Sequence, residues 1–411
     1  MARNIITALD VGTSTVQTVV AERKKGEQSL RILGFGNAPS NGVRRGMVTD
    51  LEEATLSIRR SVHEAQKAAG VPVRSLWLAV GGAHISVSSS KGVVAVSRAD
   101  QEISQEDVKR AIAAAGTFVA KNPNKEVLHM IPRDFRVDNE PGIKDPLGMH
   151  GVRLEVDTLI IECSTPFLKN LFRCVEGAGF KIEDYVFSSL AAAEAVLNKR
   201  QKELGTMLLD IGGGTAAFMV FEEGVPIHAG VIPVGGNHVT NDIAIGMQTR
   251  VDVAERIKLA YGSCLSSELP KRDNIRLSEF VEGEDGSYSR RELAEMVEAR
   301  LQDLYELVQK ELKKIAKNQL LPGGVVLVGG SSLLPGIVNM AKRETKLPVE
   351  LGQPQGFGET LDEKFAPAFA AVLGVAKWAD LRRQETGVSW NNHMVRLGQS
   401  SWLRWLKSLL P

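Results

Sequence analysis

Cysteine is nearly absent from the 411 residues: three occur, Cys163, Cys174 and Cys264, an odd number without the paired spacing of a zinc site. The first two sit on apolar segments, which argues for buried thiols in a reducing compartment. An excess of either charge is also missing. Lys and Arg total 50 against 49 for Asp and Glu, so there is no electrostatic footprint for nucleic acid. No run approaches the roughly 18 apolar residues of a spanning helix, and no charged-then-apolar export signal precedes the first strand pattern. The chain is therefore expected to be cytoplasmic, neither exported nor membrane-spanning. A G-x-x-x-x-G-K-[ST] motif occurs nowhere, which excludes a P-loop enzyme.

What is abundant is apolar residue, 43%, and glycine, 39 positions, enough for about two or three domains with real cores. From Ile5 the pattern gives a strand, a turn at Asp10 to Thr15, a strand to about Glu22 and a third near Leu30 to Gly36. A helix follows, with Asp50 as N-cap, Glu53 three residues on, and Gly70 where a C-terminal cap belongs. "SLWLAVGG" then makes a buried strand, and strands alternating with capped helices indicate an α/β domain. From about Ala83 to Glu162 the character changes to a small α+β block. Its "HISVSSSKGVVAVS" gives two short strands, its helix is capped by Ser104, and two more strands flank the Pro/Gly-rich "NEPGIKDPLGMHG". The α/β pattern then returns with helices at Pro166 to Gly177 and at "LAAAEAVLNKR", and starts afresh at Thr206. In this second half Thr249 to Tyr261 and Ser289 to Lys317 read as helices, the latter opening with a Ser289/Glu292 capping box.

Strand, Asp, Gly-rich turn with Thr or Ser, strand: this unit appears in "IITALDVGTSTVQTVVAE" and again in "MLLDIGGGTAAFMVF". Two halves of one duplicated plan would bring the turns together across a cleft. Gly12, Gly212, Gly213 and Gly214 let another group approach bare backbone, whose N–H groups can converge on an anion. Thr13, Ser14, Thr15 and Thr215 add hydroxyl donors, and Asp10 and Asp210 could hold a hydrated Mg²⁺ bridging the phosphates. Either turn alone also reads as an ordinary glycine hairpin. "GGGTAA" fits G-x-G-x-x-A, but that dinucleotide fingerprint must open a helix and here a strand continues. A third element, "GVVLVGGSSLLPGI", is a buried strand ending in Gly329 and Gly330, with Ser331 and Ser332 at the start of a helix, where a base or ribose could lie on the backbone.

In this order the three elements resemble the phosphate-1, phosphate-2 and adenosine motifs of the actin, Hsp70 and sugar-kinase superfamily. "FAPAFAAVLGVA" is similar to its C-terminal connecting helix, and "AERIKLAYG" to the adenosine-contacting helix of the bacterial actins. That likeness implies ribose or base contacts for Glu255 and Lys258, which on their own read as solvated charges. Within the superfamily the chain resembles the FtsA family of bacterial division proteins. The resemblance runs from Asn4 to the end and rests on the block between "LAVGGAH" and "LIIECSTP", on "NGVRRGMVTDLEEATLSIRRSVHEAQ" and on "LLDIGGGTAAFMVFEEGVPIHAGVIPVGGNHVTNDIA".

The resemblance implies an actin-like ATPase fold of two duplicated α/β lobes around a nucleotide cleft, with an α+β insertion replacing an actin subdomain. Its divisions are 1–82 and 163–198 for the first lobe, 83–162 for the insertion, and 199–244 and 310–364 for the second lobe. Residues 245–309 form a subdomain on that second lobe, 365–382 a connecting helix, 383–400 a linker, and 401–411 a terminal helix. It also implies ATP and Mg²⁺ as ligands, protofilament formation through the insertion, later division proteins as its partners, and docking of the FtsZ C-terminal peptide on 245–309. Arg300 and Lys310, on or beside the long helix there, are candidate contacts for that acidic peptide, although charged helix faces are usually just solvated. Hydrolysing relatives carry Glu or Gln shortly before the Ala-rich helix, and Ser188 stands there in this chain. A hydroxyl orients water poorly, so ATP binding with slow hydrolysis is expected.

The last stretch, "SWLRWLKSLLP", places Trp402, Leu403, Trp405, Leu406, Leu409 and Leu410 within an arc of about 160°, with Arg404, Lys407 and Ser408 opposite. This is a short basic amphipathic helix suited to a lipid surface. Docking on the protein's own core is the alternative, but a polar connection of about 15 residues, with a coil reach on the order of 20 Å, precedes it. The combined expectation is a peripheral protein on the inner face of the cytoplasmic membrane at midcell. An actin-like pilus-assembly platform and a small-molecule kinase of the same superfamily are the competing readings.

Overall fold

The computed structural model describes residues 4–24, 26–27, 29–117, 124–270, 272–281, 286–358 and 366–386. The strand Asn4–Val11 turns back through residues 12–14 into Thr15–Arg23, pairing Asp10 with Gln17, and Arg31–Pro39 extends the meander. On its other side Asn4–Val11 runs parallel to Ser75–Val80, which pairs in parallel with Lys181–Phe187. The second lobe repeats this plan strand for strand. Thr206–Ile211 turns into Ala216–Glu222 and then Val225–Ile232, while its other edge is parallel to Val325–Val328 and then Val349–Leu351. Parallel neighbours need crossovers, and these supply the helices on the faces.

Helix Leu51–Ala69 forms where its caps predict: Asp50 accepts from the N–H groups of Glu52 and Glu53, and Gly70 closes the far end in the left-handed conformation. Two Ala-rich helices, Ser188–Val196 and Ala370–Thr386, lie between the sheets, the first wholly buried. Their backbones meet closely, since a Cβ on Gly374 would sit 2.0 Å from the Ala191 carbonyl oxygen. One hydrophobic core consequently includes the first lobe, both helices and the inner face of the second sheet through Leu208, Met219, Phe221 and Val326. The block between the strands Ser75–Val80 and Lys181–Phe187 is a separate four-stranded sheet covered by helix Gln105–Thr117, with its own core of Ile103, Val108, Ile112, Phe135 and Leu154.

Several local expectations change. "HISVSSSKGVVAVS" is one 11-residue strand, Ile85–Ala95, paired over its whole length with residues 153–163 of the strand Arg153–Ser164. The Pro/Gly-rich connector contributes a short strand, Glu140–Ile143. "LAAAEAVLNKR" is broken after Val196, because Asn198 starts a new helix, Lys199–Leu204, through a capping box with Gln201. Helix Arg290–Lys314 begins after Ser289 without the expected side-chain cap bond. The 309/310 boundary falls inside that helix, and the 244/245 boundary inside a helix the pattern did not announce, Gly236–Gly246. Ser331 and Ser332 lie in a 3-10 turn, Gly330–Leu333, and the α-helix starts only at Ile337. The connecting helix continues to Thr386, into the stretch expected to be linker. All three cysteines are buried and free, and burial pushes Cys163 and Cys264 up to about 12, which leaves them inert as nucleophiles.

Candidate functional site

The two hairpin turns face each other across a cleft of about 950 Å³. Its walls include Asp10, Gly12, Thr13, Ser14 and Thr15 from the first lobe and Asp210, Gly212, Gly213, Gly214 and Thr215 from the second. Both turns close alike, Gly12 N–H donating to Thr15 O at 3.0 Å and Gly212 N–H to Thr215 O at 2.9 Å. Ser40 Oγ donates to Gly12 O at 2.7 Å, and Thr13 Oγ1 accepts from Gly46 N–H at 2.9 Å, so the first turn is braced from behind.

Asp10 and Asp210 end the central strands of their sheets with carboxylates at the cleft floor. Burial raises Asp10 to about 6; burial, and then the negative charge of Asp10, raise Asp210 to about 7. Two carboxylates raised by burial, with the charge of Asp10 also acting on Asp210 and no ion pair to either among the described residues, form a donor set suited to a hard divalent cation that keeps its waters. Gly329 abuts this floor. Its φ of 87° is left-handed and a Cβ there would lie 2.3 Å from Asp210 Oδ1.

Glu255, Lys258, Gly329, Gly330 and Ser331 line the same cleft. Glu255 and Lys258 pair with each other at 2.6 Å; Lys258 is buried and also donates to Thr240 Oγ1 at 2.8 Å and Gly236 O at 3.2 Å. Lys258 is thus held by three partners on the cleft wall, while the Glu255 side chain remains 40% exposed. Ser188, at the start of its helix, lines the cleft beside Gly81, whose Cβ would lie 2.5 Å from Ser188 Oγ. Glu194, further along the same helix and the nearest carboxylate there that could substitute for Ser188, is held in a buried ion pair with Lys202 at 2.6 Å. Arg300 is held bidentately by Asp242 at 2.6 and 2.9 Å and also meets Asp303 at 3.0 Å, while Lys310 is exposed. Trp402, Leu403, Trp405, Leu406, Leu409 and Leu410 lie outside the described residues. Among the described residues no helix is long and apolar enough to cross a membrane, and no cluster of metal-ligating side chains of three or more occurs.

Sequence reasoning missed Asn237 and Gly236, which open helix Gly236–Gly246 at the cleft wall. Gly-Gly-Asn following an apolar strand was the available signal, the same Gly-Gly punctuation that marks Gly329 and Gly330.

Two sheets of identical strand order, joined by a helix pair and presenting paired Asp-Gly turns to one cleft, define the actin-like ATPase fold. Solved structures agree: a PilM–PilN type IV pilus biogenesis complex superposes with TM-score 0.67 at 15% identity, covering 91% of this chain and 98% of that one. MreB5 of Spiroplasma citri bound to ADP gives 0.55 at 14% identity, covering 94% and 99%. At such identities the likeness speaks for fold alone. A model described as "Cell division protein FtsA" matches residues 207–374, and one described as "SHS2 domain inserted in FTSA" matches 82–162. The Cell division protein FtsA of Pseudomonas aeruginosa is 36% identical over 385 residues, 94% of this chain and 91% of that protein. The chain belongs to the FtsA family of cell-division proteins.

Proposed function

We propose that this chain binds ATP with Mg²⁺ in the cleft and, as an actin-like filament, tethers FtsZ to the inner face of the cytoplasmic membrane at midcell. The observation that carries the reading is the pair of facing turns with Asp10 and Asp210 at their base, in a chain of the division family. The Gly12 and Gly212–Gly214 turns offer backbone to the phosphates, and Glu255, Lys258, Gly329, Gly330 and Ser331 would take the adenosine. Asp10 and Asp210 would hold the cation through water. When bound, the cation neutralises phosphate charge.

Ser188 is the side chain nearest in sequence to the family's water-orienting position, and Glu194 is engaged with Lys202, so nucleotide acts here chiefly as an assembly ligand with slow hydrolysis. FtsZ's C-terminal peptide would dock on the subdomain carrying Arg300 and Lys310, the insertion 83–162 would serve protofilament contacts and later division proteins, and 401–411 would enter the lipid surface. Modest affinity from one short helix is multiplied in a filament by avidity.

The test is a pull-down with the last dozen or so residues of FtsZ, with and without Mg²⁺ and ATP, beside flotation with anionic liposomes. Peptide capture together with liposome binding that disappears on removal of 401–411 supports the reading. A chain that captures neither peptide nor liposomes in the presence of ATP overturns it.

A further inference from the structure

Beyond facing the same cleft, the two turns touch. Ser14 Oγ–H donates to Asn237 Oδ1 at 3.1 Å, a hydrogen bond from the first lobe to the first turn of helix Gly236–Gly246 on the second. Both ends are fixed by backbone: Ser40 N–H donates to Ser14 O at 3.0 Å, and Asn237 N–H donates to Gly213 O at 2.7 Å. Upstream, Gly235 N–H donates to His238 Nδ1 at 3.1 Å, which holds the entry to that helix. Ser14 is exposed and Asn237 half-buried, so the bond lies at the rim of the cleft. The fit around it is close. A Cβ on Gly213 would lie 2.0 Å from Ser14 Oγ and 3.1 Å from Asn237 Oδ1, and one on Gly214 would lie 2.6 Å from Thr13 Oγ1.

We propose that Ser14 and Asn237 form a latch across the cleft rim that sets the rate of nucleotide exchange. The inference rests on the cleft being the nucleotide site. Opening the lobes far enough to pass a polyphosphate must break this bond, because it spans the two lobes at the cleft rim. Asn237 is a positioning residue: its amide oxygen holds the Ser14 hydroxyl and keeps the two turns in register.

The experiment follows release of a fluorescent ATP analogue, chased with excess ATP, from the full chain and from Asn237→Ala, Asn237→Asp and Ser14→Ala/Asn237→Ala. Loss of one neutral hydrogen bond predicts release about three- to tenfold faster for Asn237→Ala. Asn237→Asp keeps an acceptor for Ser14 and stays closer to the parent chain in a second measurement, hydrogen–deuterium exchange of residues 11–16 and 211–216 without nucleotide. In that measurement Asn237→Ala exchanges faster in both turns, and the double variant is no faster than Asn237→Ala. If the parent chain binds the analogue and Asn237→Ala releases it within twofold of the parent rate, the latch is wrong and the nucleotide reading stands. If the parent chain binds no nucleotide, that reading fails, and unchanged nucleotide-free exchange in Asn237→Ala then removes the latch as well.

Discussion

The two lobes share a strand order and differ in almost everything attached to it. Each has a three-stranded meander whose first strand carries Asp as its penultimate residue and whose other neighbour is parallel. The first lobe carries between its parallel strands a sheet-and-helix block with a private core. The second instead carries helices Gly236–Gly246, Val251–Tyr261 and Arg290–Lys314 around a two-stranded ribbon, and their apolar faces merge with the outer face of its own sheet. Duplication thus preserves the part that shapes the cleft, while the excursions give each lobe a different outer surface. The cores also differ in reach: the Ala-rich helix pair fuses the inner faces of both lobes, and the inserted block adds Ile131, Leu159 and Ile161 to that shared core while keeping a second core of its own under its helix.

Breaking the comparison at its strongest point means placing a side chain where two backbones meet. Gly374→Val puts its Cβ 2.0 Å from Ala191 O in the shared core, and Gly92→Val puts its Cβ 1.8 Å from Ala111 O inside the inserted block. Gly374→Val is expected to destabilise both lobes together by about 3 kcal/mol or more, in one urea transition. Gly92→Val is expected to loosen the block's own core beneath its helix, seen as hydrogen exchange rising over 103–115 and 135–156 while the lobes keep their midpoint. Loss of both lobes in Gly92→Val would mean that the block is not a separate cooperative unit.

The paired turns look alike, yet their glycines answer to different neighbours. At the equivalent positions Gly12 and Gly212 a Cβ would meet the turn's own carbonyl, Thr15 O at 2.8 Å and Thr215 O at 3.2 Å, whereas one on Gly213, where the first turn has Thr13, would meet Ser14 of the opposite lobe at 2.0 Å. Gly12→Ala should therefore lower the stability of the free protein by about 1 kcal/mol, while Gly213→Ala leaves stability nearly unchanged and weakens ATP binding about tenfold by holding the lobes apart. Calorimetry of the two variants decides. Equal loss of affinity without a stability difference would show that the turns are equivalent.

Much of this was legible in the chain because the signals are local. Asp50 and Gly70 cap their helix through their own neighbours, and both turns close through bonds between residues three apart. The Asn198/Gln201 capping box was equally local, but the Ala-rich pattern before it reads through the break. What stayed hidden depends on distant partners. The long strand Ile85–Ala95 owes its continuity to Arg153–Ser164, and Asn237 acquires meaning only from Ser14, 223 residues earlier. The cleft residues gather as the motifs imply, whereas the close approach of one lobe's glycines to the other lobe's hydroxyls has no trace in spacing.

The subtlest contrast concerns the joint between inserted block and first lobe, and pH sharpens it. His129, on the block's strand Lys125–Val137, accepts from Phe187 N–H at 3.0 Å at Nε2 and lies edge-on to Trp378. Burial first, and then the positive charge of Arg382, lower it from 6.5 to about 3, so the folded protein holds it neutral. The contribution of that neutral ring is complete above pH 6.5 and is lost as pH falls toward 3, because only the unfolded chain takes up the proton readily. The slope approaches about 1.4 kcal/mol per pH unit in that window. His84, which burial lowers to about 4, adds a second slope of the same sign. His129→Gln retains an acceptor for Phe187 N–H and removes one titration, so its stability between pH 6.5 and 5.5 should fall by about 1 kcal/mol less than that of the parent chain. Urea midpoints across that range measure the difference, and parallel curves would mean that His129 is already solvated where the block meets the lobe.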